Sequence, residues 1–248
     1  MTLPTAATYV VIGASGTIGS AVVRRLASPG VVVGLHYCRN RAAVDGLRAS
    51  VERAGARGVC FQSPLDSEEA CLRLSNQIGV ELGTLDGLAL CAGRVPWRQW
   101  KDLSGGDWQN AVFEHCVAPF TLGQAAVAGM QARARGRIVY LSSIAAKYGG
   151  SPRTLHYAAA KAALEAAMHG LAADVARSGV QINGVRAGFV HSPQQQAGRS
   201  PGEIAERLER IPMGRAGQPD EVAAAVAFLM SAEAGFITGE IMTVAGGD

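Results

Sequence analysis

Short β-branched runs alternate with longer Ala/Leu-rich segments along nearly the whole chain, and this alternation restricts the fold more than any single motif does. Runs at 9–12, 31–35, 58–61, 85–91, 137–141, 181–185 and 241–244 read as strands. Helical patterns fill 18–27, 41–54, 68–78, 107–132, 155–177 and 220–231 between them. Successive strands separated by a helix must run parallel, because only a crossover connection returns the chain to the same end of the sheet. The expected architecture is therefore α/β: a doubly wound parallel sheet, Rossmann-like, of about seven strands with helices on both faces. No repeat or linker interrupts the pattern, so residues 1–248 are expected to form one domain. The stretch 188–202, rich in Gln, Ser, Gly and Pro, is the one long irregular segment, and such a loop is expected to act as a lid.

Composition narrows the class. The chain is 48% hydrophobic and 17% charged, which excludes a disordered chain. Its five cysteines are scattered without a CxxC pair, so neither a disulfide framework nor a metal site is expected, and a cytoplasmic location is. There is no signal-like leader and no run of about 18 apolar residues, so no membrane association is expected. A net charge of +3 gives no nucleic-acid footprint. Of 23 basic residues only Lys101, Lys147 and Lys161 are lysines.

Two motifs carry chemistry. The first strand runs into Gly13-Ala14-Ser15-Gly16-Thr17-Ile18-Gly19 and then a helix. Glycines let a backbone approach a pyrophosphate, and a helix N-terminus offers free N–H groups with a partial positive charge. Taken alone, the same glycines also suit a tight structural turn. The second motif, Tyr157-Ala-Ala-Ala-Lys161, puts a phenol and an ammonium on one helix face. A lysine charge ~5 Å from the phenol favours phenolate by about 3 kcal/mol at an effective dielectric of ~20, lowering the tyrosine pKa by roughly two units. That brings it into range as a general acid or base. In a chain that elsewhere uses arginine, a compact ammonium here favours chemistry over a solvated helix pair.

Together these features resemble the short-chain dehydrogenase/reductase family in its single-domain form, over essentially the whole chain. The end of the chain, Ile211-Pro-Met-Gly-Arg through Gly239 and Gly246-Gly247, is similar to the 3-oxoacyl-acyl-carrier-protein-reductase-like branch. The resemblance implies Ser143, Tyr157 and Lys161 as catalytic residues. Ser142 stands as an alternative to Ser143, because the gap to Tyr157 is one residue longer than usual. It implies cofactor contacts at Gly13, Ser15, Gly16, Thr17, Ile18, Gly19, Leu65, Cys91, Ala92, Gly93, Tyr157, Lys161, Gly188, Val190 and Ser192. It also implies a homotetramer built on the helices around 107–132 and 155–177. Several positions depart from the family pattern: Cys91-Ala92-Gly93 replaces its Asn-Ala-Gly, Pro64 its adenine-binding aspartate, Ala187 its proline, and His115 the asparagine that completes its tetrad. His115 has two readings, a water-anchoring imidazole titrating near 6.5 in a proton relay, or a packing residue at a subunit contact.

The implied activity is reduction of a ketone, a 3-oxoacyl thioester or other small carbonyl, to an alcohol, or the reverse. Strand two is followed by Tyr37-Cys38-Arg39-Asn40-Arg41, with no acid to meet a ribose 2′-hydroxyl. NADP(H) is thus expected over NAD(H), with Arg39 as the phosphate contact. Two other functions fit the altered positions: dehydration, cyclisation or epimerisation on the same fold, or nucleotide binding without turnover. Trp97 and Trp100 suit either a pocket or a subunit contact. Arg133, Arg135 and Arg177 suit either an acyl carrier protein or solvated helix ends.

Overall fold

A computed structural model describes residues 6–248. Its seven strands are β1 (Thr8–Ile12), β2 (Val32–Tyr37), β3 (Arg57–Gln62), β4 (Gly87–Leu90), β5 (Gly136–Ser143), β6 (Val180–Ala187) and β7 (Ile241–Val244). All pair in parallel, in the order β3-β2-β1-β4-β5-β6-β7. The order reverses between β1 and β4, the point at which an open α/β sheet leaves a crevice beyond its carboxyl ends.

The sheet is buried on both sides, which is why its strands read as unbroken apolar runs. In β1, Tyr9 and Val11 enter one core with α1 (Thr17–Leu26), α2 (Arg41–Arg53) and α10 (Pro219–Leu229). Val10 and Ile12 enter the opposite core with α3 (Glu68–Leu82), α5 (Ala118–Gln131) and α7 (Leu155–Val175). Among the described residues no helix is long and apolar enough to cross a membrane.

Two elements differ from the sequence expectation. The helix expected over 107–132 is broken into α4 (Gly105–Val112), a π-helical turn (Phe113–Val117) and α5. Pro119 lacks the N–H that would bond to the carbonyl of residue 115, so the regular ladder cannot continue through this point. The segment 188–202 is not irregular: it contains α8 (Pro193–Ala197) and the start of α9 (Pro201–Glu209). Ser192 and Ser200 cap these helices ahead of a first-turn proline, and Ser200 with Glu203 forms a capping box.

Candidate active site

The glycine-rich turn is shaped by its neighbours. Gly13 has φ +83°, and a Cβ there would stand 2.7 Å from the Ala92 backbone, so the turn lies directly on the chain leaving β4. Beneath it His36 is 2% exposed. Its Nδ1 accepts from Gly13 N at 3.1 Å and its Nε2–H donates to Ser63 O at 3.0 Å. Helix α1 begins at Gly16 with no side-chain cap and no acid in its first turn. Its free N–H groups and positive dipole end are thus left open.

A cleft of about 430 Å³ runs from this turn along the carboxyl ends of the sheet. Gly16, Thr17, Ile18 and Gly19 line one end, Cys91 and Gly93 the floor, and Ser143, Tyr157, Gly188, Val190 and Ser192 the remainder. Other expected positions stand back from these walls. Gly13 and Ala92 pack on each other behind the floor, and Lys161 and His115 are buried behind it. Ser15, Arg39 and Leu65 are not in the walls: Arg39 is exposed just past β2, and Leu65 packs on the core past β3. Ser192 Oγ accepts from Gln195 N at 3.3 Å as the cap of α8.

The two serines at the end of β5 are now distinguished. Ser142 is buried and donates to Glu165 Oε1 at 2.5 Å. Glu165 also holds Arg186 through both carboxylate oxygens, at 3.0 and 2.5 Å, tying β5, α7 and β6 together. This brace went unseen in the sequence because its three members are far apart in the chain. Ser143 lies on the cleft, and its hydrogen bond to Tyr157 favours the phenolate.

The Tyr157 pKa is raised, not lowered as the spacing suggested. Burial holds the Tyr157 phenol above its ordinary pKa; the Ser143 hydrogen bond lowers it and the Glu114 carboxylate raises it. The Lys161 ammonium donates to Leu141 O at 2.7 Å. Burial also pushes Lys161 down to about 8.

His115, in the π turn, is 1% exposed, and its ring stands edge-on to that of Tyr157 with centroids 4.8 Å apart. A Cβ on Gly93 would come within 2.8 Å of its Nδ1, so the ring reaches the cleft floor. Neither ring nitrogen makes a hydrogen bond of full geometry among the described residues, although the Arg94 backbone beside the ring favours its protonated form. Burial, and then the Lys161 charge, depress its pKa to about 3, so the imidazole is neutral at every physiological pH. That corrects the expectation of titration near 6.5.

Trp97 lines the cleft, whereas Trp100 is 53% exposed. Arg133 and Arg135 both pair with Asp86, at 3.2 and 3.3 Å, which occupies two of the three arginines considered for a carrier protein. The sequence reading also missed Arg199, Arg207, Arg210 and Asp248, all of which line the cleft.

A family model described as enoyl-(acyl carrier protein) reductase matches residues 13–248. The chain belongs to the short-chain dehydrogenase/reductase family. It is accordingly an oxidoreductase of that family. An oxidoreductase of Bacillus subtilis (strain 168), YmfI, is 33% identical over 241 residues, covering 97% of this chain and 98% of its own. The 3-oxoacyl-(acyl-carrier-protein) reductase FabG of Escherichia coli (strain K12) is 32% identical over 239 residues, covering 96% and 95%. Among solved structures, a 7α-hydroxysteroid dehydrogenase complexed with NADH and 7-oxo glycochenodeoxycholic acid superposes with a TM-score of 0.90. It is 25% identical and covers 97% of this chain and 93% of that one.

Proposed function

We propose that the protein is an NADP(H)-preferring ketoreductase that interconverts a ketone, a 3-oxoacyl thioester or another small carbonyl, with the corresponding alcohol. The observation that carries this reading is that the Ser143 and Tyr157 hydroxyls share one cleft with the open N-terminus of α1. The residues present fit a dinucleotide: uncapped N–H groups face that end, and Asp248 is the only acid among the lining residues. Gly16 to Gly19 would hold the pyrophosphate, and Val190 and Ser192 the carboxamide. Arg39 is exposed and unpaired among the described residues, whereas Arg41 is engaged with Asp45 at 3.2 Å. Arg39 is therefore the guanidinium free to meet a 2′-phosphate.

A bound nicotinamide supplies the hydride for reduction and accepts it in the reverse direction. Ser143 donates a hydrogen bond to the substrate oxygen, stabilising the charge that develops there. Tyr157 gives that oxygen its proton. A phenol held above its ordinary pKa is protonated at neutral pH, the state that reduction requires. Lys161, anchored on Leu141 O, stands one turn along the same helix and supplies positive charge as the phenolate forms. His115 positions the Tyr157 ring from behind. The exposed apolar residues Trp108, Val112, Val117 and Leu155 on α4, the π turn and α7 suit the interface of a homotetramer.

Tyr157→Phe tests the reading. NADPH-dependent reduction should fall by about 1000-fold in kcat/KM while NADPH affinity changes little, because the hydroxyl acts in the transition state and contributes little to cofactor binding. Retention of more than about a tenth of the activity, a loss under ~1.4 kcal/mol, would show that Tyr157 is not the acid. Wild-type kcat/KM should favour NADPH over NADH, and Arg39→Ala should erase that preference.

A further inference from the structure

The segment after β6 turns three arginines toward the cleft: Arg199, between α8 and α9, Arg207 within α9, and Arg210 at its end. Arg153 lies beside them, 5.1 Å from the Trp97 ring centroid. Two of the four have carboxylate partners: Arg153 pairs with Glu203 at 2.7 Å, and Arg207 with Asp248. Among the described residues, Arg199 and Arg210 have none. Four positive groups against two negative ones leave an excess of positive charge at this end of the cleft.

Arg199 is held unlike a solvated arginine. Its guanidinium lies 4.5 Å from the Trp97 ring centroid and 5.2 Å from that of Phe189, and it donates to Gln195 Oε1. Two aromatic rings hold it in place while Nη2 and Nε make no hydrogen bond among the described residues. A planar fork held in this way loses little freedom on meeting a carboxylate or phosphate. Burial, and then the charges of Arg207 and Arg153, work against its own protonated form. An oxyanion arriving there would relieve both costs.

We propose that the substrate carries an oxyanion, a carboxylate or a phosphate, apart from the reacting carbonyl, and that Arg199 receives it with Arg210 and the paired Arg207 adding field. This rests on the ketoreductase reading and specifies its substrate class. The group belongs to a small molecule that enters the cleft, since these arginines line its wall rather than an outer face. It also gives a reason for two guanidiniums gathering at the Trp97 ring, which holds Arg199 in place.

The test uses matched pairs: linear and cyclic oxo-carboxylates against their methyl esters, and oxo-alkyl phosphates against the parent alcohols. Wild-type protein should prefer the charged member of at least one pair by about tenfold or more in kcat/KM, the scale of one charge-assisted hydrogen bond. Arg199→Gln should collapse that ratio by raising KM for the charged member. Whether the carboxylate or the phosphate pair shows the larger ratio identifies the group. Equal use of both members by wild-type protein, or an equal loss on both in the variant, overturns the proposal. If no ketone is reduced with either cofactor, it is the ketoreductase reading that fails, and binding then decides this inference. Titration of the same oxo-carboxylates and oxo-alkyl phosphates, followed by tryptophan fluorescence, should give saturation in wild-type protein that is lost in both Arg199→Gln and Trp97→Leu. No saturation in wild-type protein, or saturation unchanged in Arg199→Gln, overturns it.

Discussion

His36 and His115 are buried to the same degree, 2% and 1% exposed, yet they stand in opposite circumstances. His36, on β2, spends both ring nitrogens bridging the glycine-rich turn to the chain leaving β3. His115, in the π turn, makes no bond of full geometry at either nitrogen, has only the Arg94 backbone nearby, and lies with its ring edge-on to that of Tyr157. Desolvation keeps both neutral, with pKa values lowered to about 4 and about 3. A buried polar group with no partner costs about 1–3 kcal/mol, a cost that the pairing of His36 avoids. The contrast teaches that burial and a depressed pKa do not by themselves mark function. What sets His115 apart is its contact with the Tyr157 ring.

The sharpest way to break this comparison is to remove each ring. His36→Ala leaves Gly13 N–H and Ser63 C=O unpaired around a new cavity, and should lower stability by about 3 kcal/mol, read as a drop in the urea midpoint. An unchanged midpoint would end its role as a strut. His115→Ala breaks no hydrogen bond of full geometry and should cost only about 1 kcal/mol of stability.

Acid provides a second test on which the two histidines should agree. Each takes up a proton near 6.5 when unfolded but resists it when folded, so the unfolded state binds more protons between 6.5 and about 4 for His36, or about 3 for His115. Stability contributed by this difference is complete above 6.5 and declines as pH falls through that window. From pH 7 to pH 5 each histidine should remove about 2 kcal/mol. His115→Asn should eliminate one such share, narrowing the difference between the two pH values by that amount. An unchanged difference would mean that His115 is not held neutral.

The smallest effect concerns turnover. His115→Ala should lower kcat by about tenfold, or ~1.4 kcal/mol, through a loosened Tyr157 ring. His115→Asn should stay within about threefold of wild type, being polar and of similar reach. Neither ratio should vary between pH 6 and pH 9, because the imidazole does not titrate there. Wild-type kcat in the alanine variant would return His115 to a packing role.

The sheet was legible in the sequence because strands buried on both faces leave an unmistakable apolar run, as Tyr9 to Ile12 does. The cleft's glycine-rich end and the Tyr157 face were legible for a related reason: each is encoded by residues close together in the chain. Some local signals were present but unread. Pro119 announces the break at the π turn, and the Ser-Pro steps at 192–193 and 200–201 announce α8 and α9. Other features were beyond local reading. The His36 strut needs β2 beside β1, and the Ser142–Glu165–Arg186 brace needs α7 laid across β5 and β6. Trp97 and the arginines around it come from three separate stretches of chain, and nothing in any one of them reveals the others.

The burial of Lys161 has a practical consequence for covalent chemistry. An amine acylates only when it is both deprotonated and reachable, and the three lysines differ in how reachable they are. Lys101 and Lys147 are exposed and should be modified promptly by an acylating reagent. Lys161, lowered to about 8, has a large fraction of free base in mildly alkaline buffer, yet it is 4% exposed and tethered to Leu141 O. Its acylation rate is therefore set by how often the end of β5 and helix α7 part. With so few lysines, one peptide mass would report that opening, turning this buried amine into a clock for the protein's own breathing.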